Sequence, residues 1–84
     1  MNLSQKVAVV SGGSSGLGEA IVQSLLKLGC QVAILDIQAP KIENKKQLYI
    51  ETDIRSEEAV ANAIEITFKT FGAIHFNINC AGIA

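Results

Sequence analysis

The sequence has no tryptophan, one proline and two cysteines among its 84 residues, and neither charge is in clear excess. Seven Lys and Arg against eight Asp and Glu give a net charge of −1, whereas a nucleic-acid-binding module normally has a basic excess. No apolar run approaches the roughly 20 residues of a membrane helix, and the first residues lack the pattern of a signal peptide. Cys30 and Cys80 have no metal-ligand spacing and fit a reducing compartment better than a disulfide scaffold. We therefore expect a cytoplasmic protein that binds no nucleic acid, metal or membrane.

What the sequence does contain is typical of a small packed core. Apolar residues make up 49% of the chain and charged residues 18%, which argues against a disordered tail. With 84 residues the chain is shorter than the usual domain of about 100–150 residues. We expect one domain, or part of one, because no linker, repeat or low-complexity stretch divides it.

Strand-like apolar runs alternate with helical spacing along the chain. The patterns predict strands over 6–11, 31–36, 47–51 and 74–80 and helices over 17–28 and 57–71. Gly29 and Gly72 stand where helices commonly end, and Ser56 stands at a helix N-cap. Residues 37–46 contain Pro40 and read as a loop or a poorly formed helix, so this crossover is expected to be short. The alternation indicates an α/β protein with a parallel sheet and right-handed crossovers.

A glycine-rich segment joins the first strand to the first helix, with the sequence Ser11-Gly12-Gly13-Ser14-Ser15-Gly16-Leu17-Gly18. Such a turn presents free backbone N–H groups at the positive end of a helix dipole, which together form an anion site. The spacing also resembles a nucleotide-binding P-loop, but Glu19 stands where that motif needs lysine, and its carboxylate would repel a triphosphate. The alternative without a ligand is an ordinary tight turn.

Asp36 supports a dinucleotide site. Such sites place an acidic residue about 20 positions after the glycine turn, at the end of the second strand, and Asp36 lies 18 residues after Gly18. Its carboxylate can accept both ribose hydroxyls of an adenosine and would repel a 2′-phosphate, which no Arg or Lys of the turn offsets. The pattern favours NAD over NADP; the alternative is a solvated carboxylate at a strand end.

Two motifs in register resemble a known family. The glycine turn resembles the T-G-x-x-x-G-x-G turn of the short-chain dehydrogenase/reductases, and Asn79-Cys80-Ala81-Gly82 resembles that family's N-N-A-G motif. The resemblance implies the N-terminal half of a Rossmann (doubly wound) fold, with four parallel strands in the order 3-2-1-4 and helices on both faces. Residues 1–84 would be the NAD-binding part of such an oxidoreductase. The segment 79–84 is also similar to one subfamily, the type 2 3-hydroxyacyl-CoA dehydrogenases, or 17β-hydroxysteroid dehydrogenases of type 10.

The family resemblance also implies a set of cofactor-binding residues. Glycines would shape the turn around the diphosphate, and Ser15 and Leu17 would contact the diphosphate and the nicotinamide end of the cofactor. Asp36 would hold the adenosine ribose. Asp53 and Ile54 would hold the adenine, and the N-N-A-G segment would close over the ribose. The implied set is Gly12, Ser15, Gly16, Leu17, Gly18, Asp36, Asp53, Ile54, Cys80, Ala81 and Gly82. Two alternatives stay open, that Asp53 caps the helix at Ser56 and that Cys80 is a small apolar wall rather than a reactive thiol.

The family's catalytic residues have no match in this sequence. The resemblance implies a Ser, a Tyr-x-x-x-Lys pair and an Asn after the N-N-A-G motif, and the only tyrosine, Tyr49, is followed four residues later by Asp53. His75 stands where the family commonly has Asp and is expected to be a hydrogen-bonding residue at the sheet end. Asn77 falls at an apolar position and needs a buried partner or an exposed strand. We identify no catalytic residue.

These observations lead to one main expectation and two alternatives. The main one is a truncated NAD-dependent dehydrogenase, inactive alone, whose parent transfers hydride between NAD(H) and a secondary alcohol or ketone such as a 3-hydroxyacyl-CoA or hydroxysteroid. The first alternative is a non-catalytic nucleotide-binding module. The second is a self-associating mini-protein, in which the open edge of the fourth strand pairs with another chain to form a homo-oligomer.

Overall fold

The computed structural model describes residues 2–81, which form four strands and two helices. In chain order these are β1 (Val7–Ser11), α1 (Gly16–Lys27), β2 (Gln31–Asp36), β3 (Gln47–Glu51), α2 (Glu57–Phe71) and β4 (Phe76–Asn79). The predicted bounds of the second and third strands are correct. The fourth strand is shorter than predicted, because residues 74, 75 and 80 lie outside the ladder.

The strands form one parallel sheet in the order β3-β2-β1-β4, as the family resemblance implied. Val9 of β1 lies opposite Ala33 of β2 and Asn77 of β4. The chain therefore leaves β1 in one direction to reach β2 and later returns on its other side as β4. In parallel sheets the carboxyl ends on either side of such a switch diverge and leave a crevice.

Each face of the sheet has its own helix and its own cluster of buried residues. On one face Val22 of α1 packs with Val10 and Ile34, and on the other Ala63 of α2 packs with Val9 and Leu35. Because successive strand residues point to opposite faces, β1 is buried on both, and all five of its residues are inaccessible or nearly so. Because β1 is buried on both faces, its carboxyl end, where the glycine turn begins, is held in a fixed position in the sheet.

The ends of the helices follow the sequence signals. Gly29 and Gly72 have φ angles of +97° and +84° just after α1 and α2, in the left-handed region that glycine adopts without strain. The Ser56 hydroxyl accepts a hydrogen bond from the Ala59 N–H at 3.1 Å and so caps α2. Residues 37–46 contain bends and turns but no helix, which confirms the short crossover.

At the amino ends of the strands, opposite the glycine turn, His75 joins β4 to β1. Its Nδ1 accepts from the Val7 N–H at 3.0 Å, and its own N–H donates to the Val7 carbonyl at 2.8 Å. His75 is thus a hydrogen-bonding residue at the sheet end, as predicted.

Asn77 was expected to have either a buried partner or an exposed position on its strand. Its side chain is exposed, so it needs no buried partner. Among residues 2–81 no helix combines the length and apolar character needed to cross a membrane.

Candidate functional site

The glycine turn is folded so tightly that two of its glycines have no room for a side chain. A Cβ at Gly18 would lie 1.9 Å from the Gly12 carbonyl oxygen. Gly12 has a φ of +77°, and a Cβ there would lie 2.8 Å from the backbone of Ala81. The end of β4 is held against the turn because the Cys80 N–H donates to the Ser11 carbonyl at 2.8 Å. The turn and the end of β4 thus form a single wall made largely of backbone.

The N-terminus of α1 faces this wall without a side-chain cap. Ser15 occupies the N-cap position, yet its hydroxyl accepts no capping hydrogen bond, in contrast to Ser56 at the start of α2. The first N–H groups of an α-helix have no partner within the helix, and the helix dipole adds a partial positive charge there. The start of α1 can therefore accept an anion.

Asp36 is held in place by two backbone N–H groups from different segments. Its Oδ2 accepts from Ser14 of the glycine turn at 3.2 Å, and its Oδ1 accepts from Gln38 of the following loop at 3.0 Å. A carboxylate has about four acceptor positions, so these bonds orient the group and leave further positions for a ligand. Since both donors are neutral amides, the negative charge of Asp36 is not neutralised by them.

Asp53 has a different environment, because Arg55 binds it directly. Its Oδ1 accepts from Nε and from the backbone N–H of Arg55 at 3.1 and 3.0 Å, and its Oδ2 accepts from the second guanidinium nitrogen at 3.2 Å. These hydrogen bonds hold the pKa of the Asp53 carboxyl below its ordinary value. The Asp53 side chain therefore does not cap α2. That alternative is wrong, since Ser56 supplies the cap and only the Asp53 carbonyl bonds to the Ser56 N–H.

These features surround a cavity of about 540 Å³ at the carboxyl edge of the sheet. Its lining contains every predicted cofactor-binding residue that the structure describes; Gly82, the remaining one, lies outside the described residues. The lining residues are Gly12, Ser15, Gly16, Leu17, Gly18, Asp36, Ile37, Asp53, Ile54, Arg55, Cys80 and Ala81. The structure thus brings together residues that are up to 69 positions apart in the chain.

Ile37 and Arg55 were missed by the sequence reasoning, although each directly follows a predicted site residue. Ile37 is 60% exposed beside Asp36, an unusual position for a large apolar side chain. Arg55 folds back onto Asp53 from two residues further along the chain. The available signal was an apolar residue directly after Asp36 in one case and a cationic residue two positions after Asp53 in the other.

Cys80 contributes to the cavity mainly as a buried wall. It is 6% exposed and belongs to the cluster of buried residues on the α1 face, together with Cys30. Burial raises the pKa of the Cys30 thiol and so disfavours its reactive thiolate form. Among residues 2–81 no group of three or more His, Cys, Asp and Glu side chains is arranged to bind a metal ion.

Comparison with known proteins shows which family this chain resembles. The family described as short chain dehydrogenase matches residues 6–84. Xanthoxin dehydrogenase from Arabidopsis thaliana is 35% identical over 93% of this chain. Type-2 3-hydroxyacyl-CoA dehydrogenase from Drosophila melanogaster is 33% identical, also over 93% of this chain. The match covers 31% and 33% of those two relatives, so the chain spans about a third of their length.

The fold comparison agrees with the sequence comparison. A short chain dehydrogenase from Leptospira borgpetersenii, solved with bound NAD+, superposes with a TM-score of 0.86 and 25% identity. The superposition covers 99% of this chain and 34% of that one. Since enzymes of different substrates match to a similar degree, the comparisons do not single out the subfamily that residues 79–84 resemble.

Proposed function

Because this chain belongs to the short-chain dehydrogenase family, we propose that its 540 Å³ cavity is a binding site for NAD(H). The single observation that carries the proposal is that the glycine turn, Asp36 and Asp53 line one cavity with the uncapped start of α1. The bound NAD+ of the Leptospira relative supports the choice of cofactor. When bound, NAD(H) supplies or accepts the hydride.

The proposed binding mode uses each part of the cavity for one part of the cofactor. The diphosphate lies at the glycine turn and the start of α1, because a backbone wall without Cβ atoms allows close approach and the helix N-terminus attracts an anion. The Asp36 carboxylate accepts hydrogen bonds from the hydroxyls of the adenosine ribose. Asp53 and Ile54 hold the adenine, and Cys80 and Ala81 close over the ribose.

The charges in the cavity favour NAD over NADP. The hydrogen-bond partners of the Asp36 carboxylate are backbone amides that carry no charge, and a carboxylate beside the proposed ribose site would repel a 2′-phosphate. Arg55 is the one cation among the lining residues, and its guanidinium is already bound to both oxygens of Asp53. A 2′-phosphate would have to compete with Asp53 for that guanidinium while lying close to Asp36.

For the parent activity, we propose hydride transfer between NAD(H) and a secondary alcohol or ketone, with a 3-hydroxyacyl-CoA or hydroxysteroid as the first substrates to test. The Drosophila relative and the similarity of residues 79–84 support this choice. The 84 residues contain no Tyr-x-x-x-Lys pair, so we propose that they bind the cofactor without catalysing the reaction. We further propose a cytoplasmic location, which the two unpaired thiols, Cys30 and Cys80, support.

Calorimetric titration of the 84-residue chain with NAD, AMP and NMN tests the proposed site. The described cavity contains the residues proposed for the adenosine half, so NAD and AMP should bind and NMN alone should not. Gly18→Ala should abolish binding, because the new Cβ would overlap the Gly12 carbonyl. Asn62→Ala, on the exposed side of α2 and outside the cavity lining, is the control and should bind as the wild type does. Absence of binding by both NAD and AMP would refute the proposal.

A specific observation also favours self-association as a second candidate function. Within residues 2–81, β4 pairs only with β1, so its outer edge carries free N–H and C=O groups. Phe76 adds an apolar side chain that is 37% exposed on this strand. Unpaired strand edges recruit strands of other chains, and a second copy of this chain offers the same edge.

A further inference from the structure

We propose that Tyr49 is a positioning residue that orients Asp36 for the ribose of the cofactor. The inference rests on the proposed function for its ligand, but its first step, the hold of Tyr49 on the end of β2, concerns the ligand-free protein. In the sequence, Tyr49 does not match the family's catalytic tyrosine, because Asp53 stands four residues later where that motif has lysine.

The phenol of Tyr49 bridges from β3 to the end of β2. Its hydroxyl lies 3.1 Å from the Asp36 carbonyl and 3.1 Å from the Ile37 carbonyl, so its single proton is shared between consecutive peptide oxygens. Tyr49 reaches them because it lies opposite Ile34 in the ladder and packs against the buried cluster on the α1 face. The half-buried ring thus packs against the core while its hydroxyl extends to the strand end.

The end of β2 needs such a support because no helix follows it. Residues 37–46 are bends and turns, and Ile37, the first of them, has a side chain that is 60% exposed. The Asp36 carbonyl also accepts the Thr52 N–H at 3.0 Å, which is the last bond of the ladder between β2 and β3. For the Ile37 carbonyl, the Tyr49 hydroxyl is the partner that the structure shows.

The hydroxyl acts on the cavity through the backbone of Asp36. The Asp36 carbonyl belongs to the peptide that links Asp36 to Ile37, and the Ile37 carbonyl belongs to the next peptide, which also carries the Gln38 N–H. The hydrogen bonds from Tyr49 therefore restrict rotation of these two consecutive peptides about Ile37. The same backbone segment sets the direction of the Asp36 carboxylate, which must meet the Ser14 and Gln38 N–H groups at once. Without the hydroxyl, the carboxylate would sample orientations that fit a ribose less well.

The electrostatic surroundings keep the phenol in its donor form. Burial, followed by the charges of Glu51 and Asp36, raises the pKa of Tyr49 above its ordinary value. At neutral pH the hydroxyl therefore carries the proton that both carbonyls require.

Tyr49→Phe removes the hydroxyl and keeps the ring, which makes it the variant of choice. The first measurement is amide hydrogen exchange in the ligand-free protein. We expect the Ser14 and Gln38 N–H groups to exchange about tenfold faster, because the carboxylate that accepts them is less well fixed. The Val9 and Leu35 amides of the buried strands should keep their wild-type rates and show that the variant is folded. Unchanged exchange at Ser14 and Gln38 would overturn the proposal, whether or not NAD binds.

The second measurement is a double-mutant cycle on NAD affinity. Tyr49→Phe alone should raise the Kd for NAD about threefold to tenfold, whereas in an Asp36→Ala background it should have no further effect. An equal loss in both backgrounds would mean that Tyr49 does not act through Asp36. Thr67→Val is the matched control, since it deletes a buried hydroxyl that donates to the Ala63 carbonyl within α2, on the other side of the sheet.

Failure of the inference and failure of the proposed function are distinguishable. Faster exchange at Ser14 and Gln38 in a protein that binds neither NAD nor AMP would leave the Tyr49 contact established and refute the cofactor site. Normal NAD binding with unchanged exchange at Ser14 and Gln38 would support the cofactor site and overturn the proposal for Tyr49.

Discussion

At the scale of single residues, the two carboxylates of the cavity lie at the ends of neighbouring strands but differ in their partners. A cation offsets the charge of one and not of the other. Asp53 is bound by the guanidinium of Arg55, which offsets its negative charge. Asp36 is bound by the Ser14 and Gln38 amides, which orient it without offsetting its charge. The charge that a bound nucleotide would meet is therefore mainly that of Asp36, and this difference underlies the proposed preference for NAD.

Tyr49 supplies a pH-dependent prediction at the same scale. Because its pKa is raised in the folded protein, the folded state binds more protons than the unfolded state between the unfolded and folded pKa values of the phenol. The free energy of unfolding should then fall as the pH rises through that alkaline window. The chain has one tyrosine and no tryptophan, so tyrosinate absorbance follows this group alone. We expect a higher titration midpoint in buffer than in guanidinium chloride, and equal midpoints would contradict the burial and contacts of the phenol.

How far the sequence predicts the site also depends on the residue. Asp36 was predictable because a strand end and a fixed separation from the glycine turn define its place. The fold-back of Arg55 onto Asp53 was not, because it depends on the backbone of a short loop that hydrophobic periodicity does not describe. The contact of Tyr49 with the end of β2 depends on the register between two strands, which a single sequence leaves undefined.

At the scale of elements, the two helices begin on the same residue type with different consequences. Ser56 caps α2, so Ser56→Ala should lower the free energy of unfolding by about 1 kcal/mol. Ser15 makes no capping hydrogen bond, and Ser15→Ala should change that free energy by only a few tenths of a kcal/mol. Urea unfolding of the two variants measures the contrast. Equal losses would mean that the start of α1 is capped as α2 is, and would remove the argument for an open anion site.

The elements themselves were largely predictable, except at the ends of β4. Strands β2 and β3 have the predicted bounds because apolar runs and polar ends mark both. The prediction extended β4 in both directions, to residues 74 and 80. At the start of β4, His75 bonds Val7 partly through its ring instead of through a regular ladder pair, so the apolar pattern extends beyond the ladder there.

At the scale of the whole molecule, the sheet has a helix on each face, but β4 leaves one edge unpaired within the described residues. If copies associate through this edge, Asn77→Lys should reduce the association, because a lysine on an edge strand opposes edge-to-edge pairing. Asn77 is exposed, so the fold should tolerate the change. Asn62→Lys makes the same charge change on the exposed side of α2 and should have no effect.

Light scattering and sedimentation velocity over a range of protein concentrations measure this association. A wild-type chain that stays monomeric at the highest concentration would contradict self-association. Equal weakening by Asn77→Lys and Asn62→Lys would assign the effect to net charge rather than to the strand edge.

The most direct test of the central claim, that the cavity built around Asp36 binds NAD, is a calorimetric comparison of NAD with NADP. We expect NAD to bind the wild-type chain about tenfold or more tightly than NADP, since a charged hydrogen bond contributes about 1.5–3 kcal/mol and the added phosphate would be repelled. Asp36→Asn, which removes the charge and keeps the shape, should abolish most of that preference. Binding of NADP as tight as or tighter than that of NAD, or a preference unchanged in Asp36→Asn, would contradict the account.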